Sequence, residues 1–139
     1  MLPRRGCVVR AMSTQALTAE TFEPTVTQDG IVLVDAWAAW CGPCRQFAPV
    51  FEAASEKHSD ITFAKLDTEA EPALAGMLEI TSIPTIFGFR DGVLLFAQPG
   101  ALPAQALEQV IEQMRGIDMD AVRAEIAKQE QSGEPAADA

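Results

Sequence analysis

Two cysteines separated by two residues stand where one sequence pattern gives way to another. Before them, Ile31–Trp37 is a nearly unbroken apolar run, the pattern of a strand buried on both faces. After them, residues 44–58 carry apolar side chains at helical spacing. Cys41 and Cys44 therefore lie where a buried strand passes into a helix, and a pair in that position indicates a redox centre.

The place of the pair at the start of a helix also predicts its chemistry. A spacing of i, i+3 brings both sulfurs to one face of the first turn, close enough for a small-ring disulfide. Free N–H groups and the positive end of the helix dipole stabilise a negative sulfur, so we expect Cys41 to be the nucleophilic thiolate. Gly42 permits close approach of a partner backbone, and Pro43 suits the first helical turn.

Composition and charge limit the classes of protein that this chain can belong to. Its 139 residues suffice for one domain with a core of its own. A net charge of -10 argues against a nucleic-acid surface, and no apolar run reaches the roughly 20 residues that a membrane span needs. Three cysteines do not make a disulfide framework, so we expect a reducing, cytoplasmic location.

The two ends of the chain differ from its middle. Residues 1–12 contain arginines but no acid, and their apolar stretch is shorter than that of a secretory signal. We expect a disordered extension, or a segment upstream of a true start at Met12, with targeting as an alternative. Residues 117–131 keep a thin apolar stripe, which predicts one extra C-terminal helix, and residues 132–139 offer little to bury, which predicts a disordered tail.

Between these ends, strand and helix patterns alternate. The strand, helix and second strand from Ile31 to Asp67 imply a parallel crossover. Asp91-Gly92, between two apolar stretches, is a signal for a tight hairpin. The predicted strands are residues 13–17, 31–37, 61–67, 85–90 and 93–97, and the predicted helices begin at about 19, 44, 72 and 103.

Several separated motifs resemble those of the thioredoxin family over roughly residues 14–116. A bare C-x-x-C is a modest signal, whereas the whole set is a specific one. The resemblance implies a thioredoxin domain over residues 13–116, an α/β fold with a central mixed β-sheet flanked by helices on both faces. The matching features are Val34-Asp35-Ala36-Trp37, Trp40-Cys41-Gly42-Pro43-Cys44, Pro49, Lys65, Ile83-Pro84-Thr85, Asp91-Gly92 and Gly100-Ala101.

The resemblance also implies a binding surface for client proteins. In the family, the proline that matches Pro84 follows a cis peptide bond and faces the dithiol, so that the backbone of Ile83 can pair with an extended client segment. A shallow apolar surface would then surround an exposed sulfur of Cys41. The residues of that surface would be Trp40, Gly42, Pro43, Ile83, Pro84, Gly100 and Ala101.

Asp35 is an acid in the middle of an apolar strand. Burial there carries a large desolvation cost, which should raise the pKa of Asp35 and leave it able to exchange a proton near neutrality. In the family, such an aspartate serves the second cysteine, here Cys44, with the lysine that matches Lys65 nearby. A purely structural pair of Asp35 with Lys65 is the alternative.

By resemblance, the chain is expected to reduce protein disulfides. Cys41 would attack a client disulfide, and Cys44 would resolve the mixed disulfide. The chain would hold no cofactor, and thioredoxin reductase, a flavoprotein that draws on NADPH, would reduce it again. We expect a monomer whose partners are this reductase and disulfide-bearing client proteins, without nucleic acid or membrane.

Two other interpretations stay open. A zinc or iron–sulfur site needs about four soft ligands, and beyond the pair the chain offers only Cys7 and a solvated His58, so no metal is expected. A binding or co-chaperone module would use the same apolar surface to hold a protein, with the redox chemistry incidental. The extra helix at residues 117–131 keeps that second interpretation open.

Overall fold

A computed structural model describes residues 14–132 of the chain as alternating strands and helices. Most of them lie close to the segments that the sequence predicts. The strands are β1 (Thr14–Ala16), β2 (Ile31–Trp37), β3 (Thr62–Asp67), β4 (Thr85–Arg90) and β5 (Val93–Pro99). The helices are α1 (Ala19–Val26), α2 (Gly42–Lys57), α3 (Pro72–Met77), α4 (Ala104–Arg115) and α5 (Met119–Ser132).

The strands form one mixed sheet with β2 at its centre. Their order is β1-β3-β2-β4-β5, with β3 parallel to β1 and β2, and β4 antiparallel to β2 and β5. The segment from β2 through α2 to β3 is the parallel crossover that the sequence predicts. The predicted α/β fold with a central mixed sheet is therefore confirmed.

One face of the sheet packs against α2 and α4. Leu33 and Phe63 lie in this core, and the ring of Phe63 meets that of Phe51 on α2 edge-on, with centroids 5.1 Å apart. Leu107 and Ile111 bring α4 onto the same face. Each such buried side chain contributes about 1.5–3 kcal/mol, so this core holds α2, and with it the cysteine pair, on the sheet.

The opposite face packs against α1 and α3. Val32 and Val34 point to this side of β2, where Val26 of α1 and Leu74 of α3 cover them. All four are buried. Because both faces are covered, β2 has no need of alternating polar residues, which explains its nearly continuous apolar sequence.

After α4 the chain continues as α5, near the segment where an extra helix is predicted. Met119 at the start of α5 is 5 % exposed and anchors the helix on the domain. Farther along, Arg123 Nη1 lies 3.5 Å from Asp91 Oδ2 in the β4–β5 turn. The contacts of α5 with its own domain therefore include a buried apolar side chain and an ion pair.

Two of the sequence-based expectations fall outside the described residues. These are the N-terminal extension at residues 1–12 and the tail beyond residue 132. Ser132 itself, the first residue of the expected tail, is the last residue of α5. Among the helices within residues 14–132, none is long and apolar enough to cross a membrane.

Candidate active site

The cysteine pair lies just beyond the end of the central strand, where α2 begins. Cys41 is the N-cap of α2, and its Sγ accepts a hydrogen bond from the Cys44 backbone N–H at 3.2 Å. The helix therefore starts at Gly42, two residues earlier than the hydrophobic spacing indicates, with Pro43 in its first turn. Cys41 and Cys44 form a disulfide, with their Cα atoms 5.2 Å apart.

Both cysteines are covered by protein in this disulfide form. Cys41 is 4 % exposed and Cys44 is 2 % exposed. The expectation of an exposed Cys41 sulfur is wrong for this state, because Ala38 and Ile83 pack against the pair. Cys41 Sγ lies 3.8 Å from the carbonyl oxygen of Ile83. The backbone of Ile83 therefore lies directly beside the sulfur of Cys41.

The loop at residues 82–85, which packs against the cysteine pair, is held in place by hydrogen bonds of its backbone. The peptide bond between Ile83 and Pro84 is cis, as the resemblance implies. The Thr85 hydroxyl donates to the Ser82 carbonyl at 2.5 Å, and the Gly100 N–H donates to the Pro84 carbonyl at 2.7 Å. Gly100 has a φ of +101°, a backbone conformation that side chains other than glycine disfavour. These bonds hold residues 82–85 beside the turn at Gly100.

Of the seven residues expected to form the client surface, two line one cavity and the others lie around it. Trp40, which is 67 % exposed, and Ile83 line a cavity of about 190 Å³ beside the disulfide. Pro84 is buried, Gly42 is half-buried, and Pro43, Gly100 and Ala101 are exposed on the surrounding surface. The other residues that line this cavity are Thr68, Ala75, Ile80, Thr81 and Ser82.

A hydrogen bond that the sequence does not reveal sets the position of Trp40. Its indole Nε1–H donates to Glu69 Oε2 at 3.2 Å. Glu69 lies in the turn after β3, where the hydroxyl of Thr68 donates to the carbonyl of Trp37 at 3.1 Å. The β3–α3 turn therefore ties the exposed indole to the end of the central strand.

Asp35 occupies the middle of β2 and is fully buried. No donor within residues 14–132 lies within hydrogen-bonding distance of either of its carboxylate oxygens. Desolvation raises the pKa of Asp35 from 3.8 to about 7, and the charge of Lys65 partly offsets the rise. The expected change in pKa is therefore present, with the expected cause.

Lys65 is the neighbour of Asp35 across the sheet but is not bonded to it. The two residues are register partners on β3 and β2. The Lys65 Nζ lies over the ring of Trp37, 5.2 Å from its centroid. The alternative of a structural ion pair between Asp35 and Lys65 is therefore wrong for this state.

His58, expected to be solvated, is instead part of a charged cluster. Its Nε2 lies 2.8 Å from Glu108 Oε1 and its Nδ1 lies 3.0 Å from Arg115 Nη2. Arg115 in turn donates to Asp60 at 2.6 Å. This cluster joins the end of α2 to α4. Within the described residues, no group of three or more His, Cys, Asp or Glu side chains could hold a metal ion.

Comparison with known proteins gives one consistent family. The thioredoxin family model matches residues 13–113. The putative thioredoxin 2 of Streptomyces coelicolor is 54% identical over 118 residues, which cover 85% of this chain and 88% of that protein.

Solved structures agree with this match. The thioredoxin of Malassezia sympodialis has a TM-score of 0.68 and 29% identity, covering 79% of this chain and 97% of that one. A structure from work on thiol resolution in a yeast mitochondrial 1-Cys peroxiredoxin via glutathione/thioredoxin systems has a TM-score of 0.67 and 30% identity, covering 73% of this chain and 95% of that one. Together with the disulfide at the start of α2, these matches make the chain a thiol-disulfide oxidoreductase that reduces protein disulfides. The chain belongs to the thioredoxin family.

Proposed function

We propose that this oxidoreductase is a general electron carrier for protein disulfides, with Cys41 as the nucleophile and Cys44 as the resolving thiol. The observation that carries the assignment is the geometry at the start of α2. Cys41 is the N-cap residue, and the Cys44 N–H points at its sulfur from 3.2 Å. A hydrogen bond from the backbone stabilises a thiolate more than a thiol, so Cys41 is the sulfur that ionises first.

The first step is an exchange between Cys41 and a client disulfide. The Cys41 thiolate attacks one client sulfur, a Cys41–client disulfide forms, and the other client sulfur leaves as a thiolate that takes a proton from solvent. The carbonyl of Ile83, 3.8 Å from Cys41 Sγ, supports pairing of an extended client segment along this loop. Trp40 would cover that segment from the other side of the 190 Å³ cavity.

The second step needs a base for Cys44. The Cys44 thiol gives its proton to Asp35, and the resulting thiolate attacks Cys41 Sγ, so that the second client sulfur leaves reduced. A pKa of about 7 suits Asp35 to this transfer, because such a group is present in both protonation states near neutrality. Lys65 assists through its charge, which favours the ionised form of Asp35.

The oxidised chain must then be reduced again. The proposed donor is thioredoxin reductase, the flavoprotein that draws on NADPH, acting on the same surface around Trp40 and Ile83, without a cofactor held by this chain. Peroxiredoxins are one proposed class of client, since a similar solved structure comes from work on thiol resolution in such a protein. We also propose that the protein works in the cytoplasm as a monomer.

The cysteine roles can be tested by trapping. Cys44→Ser should accumulate a mixed disulfide with a disulfide-bonded protein such as insulin, because no thiol remains to resolve it. Cys41→Ser should form no adduct and show no turnover. The measurement is the intact mass of the products after a single exposure to insulin. A Cys44→Ser protein that turns over at the normal rate would rule the scheme out.

The role of Asp35 has a separate test. Asp35→Asn should slow the resolving step across neutral pH while leaving the first attack by Cys41 unchanged. Rapid-mixing measurements with insulin at several pH values separate the two steps. Equal resolving rates in the two proteins at every pH would remove Asp35 from the mechanism.

The binding-module interpretation has no comparable support. It depended on the extra helix, and α5 packs on its own domain through Met119. Partner binding that survives replacement of both cysteines by serine would favour it.

A further inference from the structure

The proposed function requires a path by which Asp35 exchanges its proton with solvent. The residue is fully buried, and after each resolving step it holds the proton taken from Cys44. During that step a client covers the mouth of the site above Cys41. A second route, away from the client surface, would let the proton leave without waiting for the client to dissociate.

A cavity of about 410 Å³ lies next to the edge strand β1, on the face of the sheet to which Asp35 points, and neighbours of Asp35 rather than Asp35 itself line it. Its wall includes Lys65, the register partner of Asp35, and Trp37, the next residue of β2 that points to that face. Neighbouring strands are about 4.8 Å apart, so the cavity comes within one residue of Asp35 both across the sheet and along it. The polar side chains in its wall, among them Thr14, Glu52 and Lys65, can hydrogen-bond to water molecules in a cavity of this size.

Glu52 brings a carboxylate from α2 to the wall of this cavity. Its Oε2 accepts a hydrogen bond from the Thr14 hydroxyl at 3.1 Å, which holds the side chain against β1. Its Oε1 is shielded from bulk solvent, and no donor within residues 14–132 lies within hydrogen-bonding distance of it. A buried carboxylate oxygen without a donor is rare in folded proteins and calls for a partner such as water.

Two other carboxylates line the same cavity but are already occupied by backbone groups. Asp67 Oδ1 accepts from the Glu69 N–H at 2.9 Å and from the Ala70 N–H at 3.2 Å. Glu71 Oε1 accepts from the Ala19 N–H at 3.2 Å. These contacts give both side chains a structural role at the ends of elements. Among the carboxylates of this cavity, Glu52 is the one with an oxygen that is shielded from solvent and has no donor within residues 14–132.

We propose that Glu52 relays protons between solvent and Asp35 through this cavity, past Lys65. When Asp35 has taken the Cys44 proton, that proton passes to water in the cavity, then to the Glu52 carboxylate, and from there to solvent. No electrons move along this route, and it runs in reverse when the dithiol is regenerated. The Lys65 charge favours ionised Asp35 and so favours outward transfer. Glu52 touches no reacting atom, so it is a positioning and relay residue.

The test compares Glu52→Gln with Glu56→Gln, the same change one turn later on α2 at an exposed position. The rate of the resolving step is measured with insulin in weakly buffered H₂O and D₂O, over a range of pH. Glu52→Gln should lower this rate by about 100-fold, the low end of the effect of a lost proton-transfer group, and should enlarge the solvent isotope effect. Glu56→Gln should behave as the unmodified protein, and Glu52→Asp should keep most of the rate.

A small proton carrier separates a relay from a structural effect. Imidazole added to the buffer should restore the rate of Glu52→Gln, since it can carry the proton that the lost carboxylate carried. It should not restore Asp35→Asn. A slow Glu52→Gln that imidazole does not rescue overturns the inference, because the change has then disturbed the fold.

Failure of the relay and failure of the proposed function give different results. If Glu52→Gln resolves at the normal rate while Asp35→Asn is slow, the relay is wrong and the role of Asp35 stands. If Asp35→Asn resolves at the normal rate, the proposed role of Asp35 is wrong, and the relay is overturned with it.

Discussion

Burial of Asp35 lowers the stability of the protein at neutral pH, and the same burial raises its pKa to a value that suits the proposed proton transfer. Its pKa is raised from 3.8 in the unfolded chain to about 7 in the fold by desolvation. The protonated form is neutral and tolerates burial, so its contribution to stability is fully present below about pH 4. That contribution is lost as the pH rises through about 7, because the buried group must then ionise. At neutral pH the burial of Asp35 therefore costs stability, and the proposed return is a proton acceptor for Cys44.

Asp35→Asn should raise the free energy of unfolding more at pH 8.5 than at pH 4. Asn removes the charge but keeps the shape, and the rise in pKa from 3.8 to about 7 corresponds to at most about 4 kcal/mol at the higher pH. Denaturant unfolding at the two pH values measures the difference. Asp29→Asn, an exposed change of the same chemistry, is the control. An equal effect of Asp35→Asn at both pH values would contradict the assignment.

At the scale of single residues, those that differ in type from the sequence pattern around them were predictable. Asp35 was predictable because an acid in an apolar strand stands out, and the cysteines were predictable from their spacing. The contacts of Glu52 and Glu69 were not, because a surface glutamate looks the same whether or not the fold brings a partner to it. His58 was assigned wrongly for that reason, since its partner Glu108 lies far along the chain.

At the scale of elements, the end of α3 helps to shape the site. Glu79 follows the C-cap residue Leu78 and has a φ of 56°, in the left-handed region. The next residue, Ile80, donates its N–H to the Ala75 carbonyl at 3.1 Å and lines the 190 Å³ cavity. The position after a helix C-cap most often holds glycine, because other residues adopt this backbone conformation only with strain.

Glu79→Gly should stabilise the protein, whereas Glu56→Gly should destabilise it. At position 79 glycine removes the strain of a positive φ, about 1–2 kcal/mol, and its greater freedom in the unfolded chain costs about 0.4–1 kcal/mol, so a net gain of about 0.5–1 kcal/mol is expected. At position 56, an exposed residue in the last turn of α2, the same change should cost about 0.5 kcal/mol, because glycine has a lower helix propensity than glutamate. Thermal or denaturant unfolding of the two variants gives the answer. The prediction fails if the two changes shift stability in the same direction.

The limits of the elements were predictable where the hydrophobic pattern was strong. β2 and β4 match their predicted bounds because both are runs of buried residues. β5 extends to Pro99 through its pairing with Thr85, and an edge strand can accept proline because one side of it needs no partner. That extension depends on the neighbouring strand, which the sequence of β5 alone does not show.

At the scale of the whole molecule, three surface carboxylates affect the pH dependence of stability in one direction, and Asp35 affects it in the other. Hydrogen bonds lower the pKa of Asp60, mainly from Arg115, and of Asp91, mainly from the Gly30 N–H. Desolvation raises the pKa of Glu108, but the hydrogen bonds and charges of His58 and Lys57 lower it by more. The pKa of Glu108 is therefore also lowered. The stability that these three groups contribute is present above their ordinary pKa values and is lost as the pH falls. Asp35 acts in the other direction.

The stability of the protein should therefore pass through a maximum between about pH 4 and 6. Below that range the surface carboxylates lose their partners, and above it Asp35 ionises. Denaturant unfolding at intervals of pH measures the curve. In Asp35→Asn the decline on the alkaline side should disappear while the decline on the acid side remains. Stability of the natural protein that rises steadily from pH 5 to pH 8 would contradict this balance.

The central position of β2 has a consequence for synthesis on the ribosome. β2 leaves the exit tunnel early, and β3 follows it soon enough to pair with one of its edges. Its other edge pairs with β4, which belongs to the second half of the chain. Until β4 emerges, a seven-residue apolar strand with an open edge is exposed to other nascent chains, which is the condition for aggregation. The strand that leads to the cysteine pair in the finished protein is thus an aggregation-prone segment while the protein is being made.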